Sequence, residues 1–309
     1  MSRQGSTMIP CIFTITGFTL LGHGTPRAFG QAAPGAGSGI EDSYRGKVVL
    51  IVNGDDVGAD KVFTDATIEA LDKGYISSAS ILAPGRDADR AIGILKARPD
   101  LPIGIHLTLT GDWQPLTSGA SLRSPSGTMW STEAEAGRNV KPAEASAEWE
   151  AQIKKVLDAG ITVTHLDSHM GCYFQNTGLF MAAFALAKKY GFPLIAPFPS
   201  GQMKPSESKF LPLASYSGIY RLNGMPENPA NRAKAYWTML GEYEPGIHYL
   251  YSHHAWEPPD KKITGDLDLR IDDYKFWSDP KTKKTLAEKG YVMIGCAALK
   301  EDFKAKLSR

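Results

Sequence analysis

Cysteine is scarce in this chain: three in 309 residues, Cys11, Cys172 and Cys296, far apart and never in a C-x-x-C spacing. That scarcity excludes a disulfide framework and a cysteine-based zinc centre. An excess of charge is missing too. Thirty-four Lys and Arg stand against 33 Asp and Glu, a formal net charge of +1. No global basic field is therefore available to gather nucleic-acid phosphates or anionic lipid, and a nucleic-acid partner is not expected. Past the N-terminus the chain also lacks any apolar run near the ~20 residues that a membrane-spanning helix needs. Histidines number seven, so any metal must rest on imidazole and carboxylate. What remains is a globular composition, 42% hydrophobic and 10% aromatic, long enough for one large core or two modest ones.

The first residues read as an address. Arg3 precedes the apolar stretch Ile9 to Leu21, and small residues follow at Ala28-Phe-Gly30 and Gln31-Ala-Ala33. That order predicts a secretory signal peptide over residues 1–30, cut between Ala28 and Ala33, and a secreted or periplasmic protein. A weak membrane anchor or a wrongly placed start site are the alternatives. Pro10 directly before Cys11 argues against a lipoprotein site, where a small residue is expected. Residues 31–46, with the run AAPGAGSG from Ala32 to Gly39, predict a flexible linker.

From Lys47 short β-rich runs alternate with longer amphipathic ones, which predicts an α/β fold, a distorted (β/α) barrel of mostly parallel strands in a single domain over 47–309. Strands are expected at Val48–Val52, Ser77–Leu82, Ile103–Leu109, Ile161–Leu166, Phe192–Ala196, Ile247–Ser252 and Tyr291–Gly295. Helices are expected at Phe63–Lys73, Asp87–Ala97, Ala143–Ala159, Leu179–Tyr190, Asn231–Leu240 and Lys281–Lys289, with one more at the end. Gly111 to Pro142 shows no period and reads as a long loop on the active face. Pro197 to Pro229 offers no clear pattern.

Several strands end in metal-compatible residues, and in parallel α/β folds such ends meet on one face. The first gives Asn53-Gly-Asp55-Asp56, where adjacent carboxylates are expected to point in different directions, one toward a cation and one free to accept a proton. The same residues equally suit a turn or helix cap. His106 sits inside an apolar strand, as a ligand or as a satisfied core histidine. His165-Leu-Asp167-Ser-His169 follows, with His169 the favoured ligand and His165 and Asp167 supporting it, since a ligating imidazole donates its other N–H to an acceptor. In Tyr251-Ser-His253-His254-Ala-Trp256 one of the two histidines could protonate a leaving group, or both form a surface pair beside aromatic residues. Trp113, Trp130, Tyr173 and Trp256 fall in expected loops, where flat rings suit sugar faces.

Together, Ile51-Val-Asn-Gly-Asp-Asp-Val-Gly58, Pro99 to Thr110 and Thr164-His-Leu-Asp-Ser-His169 resemble the YdjC-like carbohydrate deacetylase family, which includes chitooligosaccharide deacetylases. The resemblance implies a distorted (β/α) barrel and hydrolysis of an N-acetyl group on an amino sugar or oligosaccharide. It also implies one divalent ion, Mg²⁺ or Zn²⁺, on Asp56, His106 and His169, with Asp55 as general base and His253 as acid. The chain departs from the family in three places. Met170-Gly-Cys-Tyr173 follows Asp-Ser-His where further histidines are usual, Ser252-His-His-Ala255 replaces Cys-His-Pro-Gly, and an arginine usual after the strand near Ile195 is absent. A metal-dependent phosphoester or glycoside hydrolase, or a secreted carbohydrate-binding protein, are the competing readings, and a homodimer is left open.

Overall fold

The computed structural model describes residues 39–195, 232–258 and 265–307. Its centre is a parallel sheet of β1 (Val48–Val57), β2 (Ser78–Ile81), β3 (Ile103–Leu107), β4 (Val163–Ser168) and β5 (Gly246–Ser252), in the order β4-β3-β2-β1-β5. The short β6 (Val292–Met293) pairs with Val49 and Leu50 of β1. A parallel bridge from Leu194 to Leu166 adds to the β4 side.

Helix α1 (Ile40–Ser43) precedes β1 and α10 (Cys296–Leu307) follows β6; between the strands lie α2 (Lys61–Asp72), α3 (Ala88–Lys96), α4 (Glu133–Asn139), α5 (Pro142–Asp158), α6 (Thr177–Tyr190), α7 (Arg232–Gly241), α8 (Leu267–Ser278) and α9 (Pro280–Glu288). Their limits follow local chemistry. The Asp60 side chain accepts from the Val62 N–H at the start of α2, Asn176 does the same for Leu179 in α6, and Gly191 ends α6 with φ +67°.

The sheet is curled. β4 and β5 stand four strand positions apart, which in a flat sheet is roughly 19 Å at ~4.8 Å per step. Yet the Tyr249 hydroxyl of β5 donates to Asp167 of β4 at 3.0 Å. Such closeness requires the strands to wrap around a common interior, as the expected barrel does. Alternation along β1 sorts its side chains accordingly. Leu50 and Val52 join the large outer core with α2, α5 and α6, whereas Val49 and Ile51 join a smaller cluster with Tyr249, Ile294 and Leu299.

Expected elements recur with ends shifted by a few residues, and four differences stand out. Residues 39–46 of the expected linker are described, and there Ile40–Ser43 is helical, Ile40 is buried, and its N–H donates to Asp302. The expected loop Gly111–Pro142 contains α4, opened by a reciprocal Thr132–Glu135 capping box. Helix α8 stands where none was expected. Leu194 makes only a single bridge. The signal peptide (1–30), Ala196, 197–229 and Asn231 lie outside the described residues.

Candidate metal centre

At the C-terminal ends of the strands a cavity of about 520 Å³ opens, lined by Asp55, Asp56, His106, His169 and His253 among others. The five residues expected from sequence to do chemistry are thus together. Their convergence starts in β1, whose inward face runs from apolar Val49 and Ile51 to polar Asn53 and Asp55. Normal alternation would send Asp56 to the opposite face, as the sequence reading assumed. Instead the register with β2 shifts between Gly54 and Val57, and Asp56 adopts φ +66°. This irregularity brings both carboxylates into one cavity.

His106 lies opposite Asp167 in the β3–β4 register. Its Nδ1–H donates to Asp167 Oδ1 at 2.9 Å, which leaves Nε2 facing Asp56 Oδ1 at 3.4 Å and Asp55 Oδ2 at 3.7 Å. Asp167 also accepts from Ser80 at 2.8 Å, Asn53 at 3.1 Å and Tyr249. Inward residues of β1, β2, β3 and β5 therefore meet on one carboxylate, which fixes the ring. His169, at the first turn after β4, has Nδ1 2.9 Å from Thr110 Oγ1, and its Nε2 faces Asp56 Oδ1 at 3.8 Å. His253 Nε2 stands 3.8 Å from Asp56 Oδ2 and 4.0 Å from Asp55 Oδ2.

Charge divides the two aspartates. Burial and the neighbouring carboxylates of Asp167 and Asp56 push Asp55 up to about 8, against the pull of His106 and Asn53. Burial works the same way on Asp56, but Arg270 overrides it, with help from His169, His253 and His106, and holds that carboxyl well below the usual range. Burial opposes a charged His106, yet Asp167, Asp55 and Asp56 outweigh it and raise the ring to about 10. His169 and His253 go the other way, down to about 4, mainly through burial.

Other expected residues have structural duties. His165 is fully buried, with Nδ1 2.9 Å from Thr164 Oγ1 and Nε2 without a hydrogen-bond partner. His254 is buried behind Gly54 and 3.1 Å from Ser252 Oγ. Of the aromatic residues expected to meet sugar, Tyr173 is in the core with its hydroxyl on the Ile195 carbonyl, and the Trp130 indole donates to the Ser121 carbonyl. The aromatic rings that do line the cavity are Phe174, Tyr249 and Tyr251.

Sequence reading missed α8 and with it two charged groups. Arg270 pairs with Asp56 at 2.8 Å and Asp266 at 2.8 Å, over the Phe63 ring. Asp273, held by Arg232 at 2.6 Å, accepts the His253 backbone N–H. In α8, Leu267, Leu269 and Ile271 alternate before Tyr274, Phe276 and Trp277, so no single apolar stripe announces a helix.

A family model described as YdjC-like protein matches residues 49–288, and the chain belongs to that family. It is similar to a carbohydrate deacetylase of Thermus thermophilus, 28% identical over 254 residues, 79% of this chain and 91% of that protein. Carbohydrate deacetylase 1 of Listeria innocua is 34% identical over 145 residues, 46% of this chain and 58% of that one. Among solved structures, a provisionally named cellobiose-phosphate cleavage protein from Enterococcus faecalis V583 matches with TM-score 0.71 at 25% identity. That match covers 82% of this chain and 99% of the other.

Proposed function

We propose that this member of the YdjC-like family is a carbohydrate deacetylase that hydrolyses the acetyl amide of N-acetylated amino sugars or oligosaccharides, with one divalent ion, Mg²⁺ or Zn²⁺, on Asp56, His106 and His169. The observation that carries this reading is Asp56 Oδ1. It is buried without a hydrogen-bond partner, between imidazole nitrogens at 3.4 and 3.8 Å. An orphaned carboxylate oxygen facing two Nε2 atoms fits an N,O-coordinated cation that leaves a position open for substrate. Asp55, His106 and Asp167 also cluster within 4.8 Å, but Asp167 is already engaged by four donors and supports His106 better than it would bind a metal.

The ion would supply Lewis acidity, polarising the acetyl carbonyl and acidifying water. The chain's own groups move the protons. Asp55 takes one from the attacking water; its raised affinity for protons suits that task, and a nearby cation would lower it toward the working pH. His253, held neutral, arrives with no spare proton. The proton that Asp55 takes from water is the one the departing nitrogen must receive. His253, whose Nε2 stands 4.0 Å from Asp55 Oδ2, is placed to pass it on through one bridging water once negative charge develops at the tetrahedral carbon and raises the proton affinity of the ring. Water oxygen joins the acetyl carbon, the C–N bond breaks, and acetate and a free amine result.

The test is metal analysis of the purified chain together with acetate release from a panel of N-acetylated sugars, before and after chelation. One ion per chain and metal-dependent acetate release are expected. A metal-loaded chain that binds sugars and releases no acetate would make it a binding protein instead. Export also belongs to this reading, supported by the order of Arg3, the apolar stretch and the small residues; an intact Met1 on the exported protein would count against cleavage.

A further inference from the structure

Among the described residues only two besides glycine have positive φ, Asp56 at +66° and Met170 at +51°. Both line the same cavity. Strain of this kind is retained where the surroundings demand it, and it concentrates at functional sites. For Asp56 the demand is visible in its contacts. For Met170 it is not: the left-handed turn continues into Gly171 at φ +66°, and glycine or asparagine would serve position 170 with less strain. Met170 is also 46% exposed, the most exposed large apolar side chain among the described residues. Folding explains neither feature.

We propose that Met170 is a specificity-determining residue: the platform at the cavity rim against which the C–H face of the sugar ring rests while the acetyl group reaches the floor. This rests on the deacetylase reading of the same cavity. Depth assigns the parts. His106 at the floor is 2% exposed, so the reacting acetyl group goes down to it and the larger ring stays at the level of Met170. Phe174, Ile195 and Tyr251 line the same cavity and give it an apolar wall beside the charged floor. A thioether is flexible and polarisable, which suits the uneven C–H surface of a pyranose. Methionine at 170 thus accepts local strain in return for an apolar surface directly after the ligand His169.

The experiment compares Met170→Gly, Met170→Asn and Met170→Leu in the full, metal-loaded chain. Thermal unfolding is followed in each, and binding of the N-acetylglucosamine trimer is measured by calorimetry in an Asp55→Asn background that blocks turnover. The Gly and Asn variants should melt about 2–4 °C higher, because their backbones tolerate the turn. They should bind the trimer about tenfold more weakly, with a matching rise in KM in the Asp55 chain that exceeds the fall in kcat. Leu should restore binding without the gain in melting temperature. A Gly variant that binds as tightly as the native chain overturns the platform, as does one that loses metal or melts lower, which would make Met170 a packing support for His169. If trimer binding depends on Met170 but the native chain releases no acetate, the platform stands and the deacetylase reading falls. If acetate is released and every variant binds alike, the reverse holds.

Discussion

Two successive layers of side chains inside the barrel each hold a buried histidine, and they behave in opposite ways. In the upper layer His106 of β3 faces Asp167 of β4. In the lower layer the positions are exchanged: His165 of β4 lies over Gly104 of β3, so closely that a Cβ there would come within 2.4 Å of the ring. Both rings are buried, at 2% and 0% exposure. His106 is driven up to about 10, because the carboxylates of Asp167, Asp55 and Asp56 outweigh its burial. His165 is driven down to about 4, because burial dominates and only Asp167, at 3.9 Å, opposes it. Burial therefore does not make a histidine a ligand; the groups facing its free nitrogen do.

The strongest way to test this division is at the carboxylate that ligates nothing in the proposed site. Asp55→Asn keeps size and much of the hydrogen bonding, so metal content should survive, while kcat falls by at least ~10² with loss of the general base. Acetate release near the native rate would remove Asp55 from that role. Loss of metal, with Asp56→Asn retaining it, would exchange the two aspartates.

The layers themselves are separated by paired alanine substitutions. His106→Ala and His169→Ala should reduce metal affinity by more than the roughly 10–100-fold typical of a supporting partner. His165→Ala should leave affinity within that range and lower stability by about 1–3 kcal/mol instead. Titration calorimetry and thermal unfolding on the same samples decide the matter, and full occupancy without His106 would refute the ligand assignment. In the native chain, uptake should also tighten as the pH rises toward about 10, since a His106 held protonated to that value must release its proton to offer Nε2.

The smallest effect is expected at Gly104. Its Cβ in Gly104→Ala would meet three atoms of the His165 ring at 2.4 to 2.6 Å, an overpacking worth about 1–3 kcal/mol. Activity per folded molecule should change little, because the disturbance is in the lower layer. A large loss of kcat without a loss of stability would show that the layers are coupled.

How much of this was legible beforehand differs between elements. Helix α4 could have been read, because Thr132 followed by Glu135 is a capping-box signature. Helix α8 could not be read from periodicity, since its apolar residues make no stripe, and Arg270 and Asp273 were missed with it. Asp55, Asp56, His106, His169 and His253 were legible because each stands at or near a strand's polar end, where a parallel fold gathers them. The aromatic residues were misjudged where a loop position was taken for exposure. Tyr173 lies in an irregular segment, yet it packs against Trp149 with ring centroids 6.3 Å apart.

The sequence by itself determined most of the elements, α8 excepted, and which residue types stand at the strand ends, because alternation, caps and glycine stops act within a few residues of where they are written. Only the tertiary structure decided which atoms those residues present to one another. His106 and His165 are alike locally, each a histidine in a β-rich run with a leucine after it. One became a candidate ligand because strand register set Asp167 across from it and the irregularity at Asp56 placed a second carboxylate on its other nitrogen. The other became packing because its ring lies against Gly104, which has no side chain to offer it. Register and barrel curvature arise from pairing between strands distant in the chain, and no local pattern encodes them.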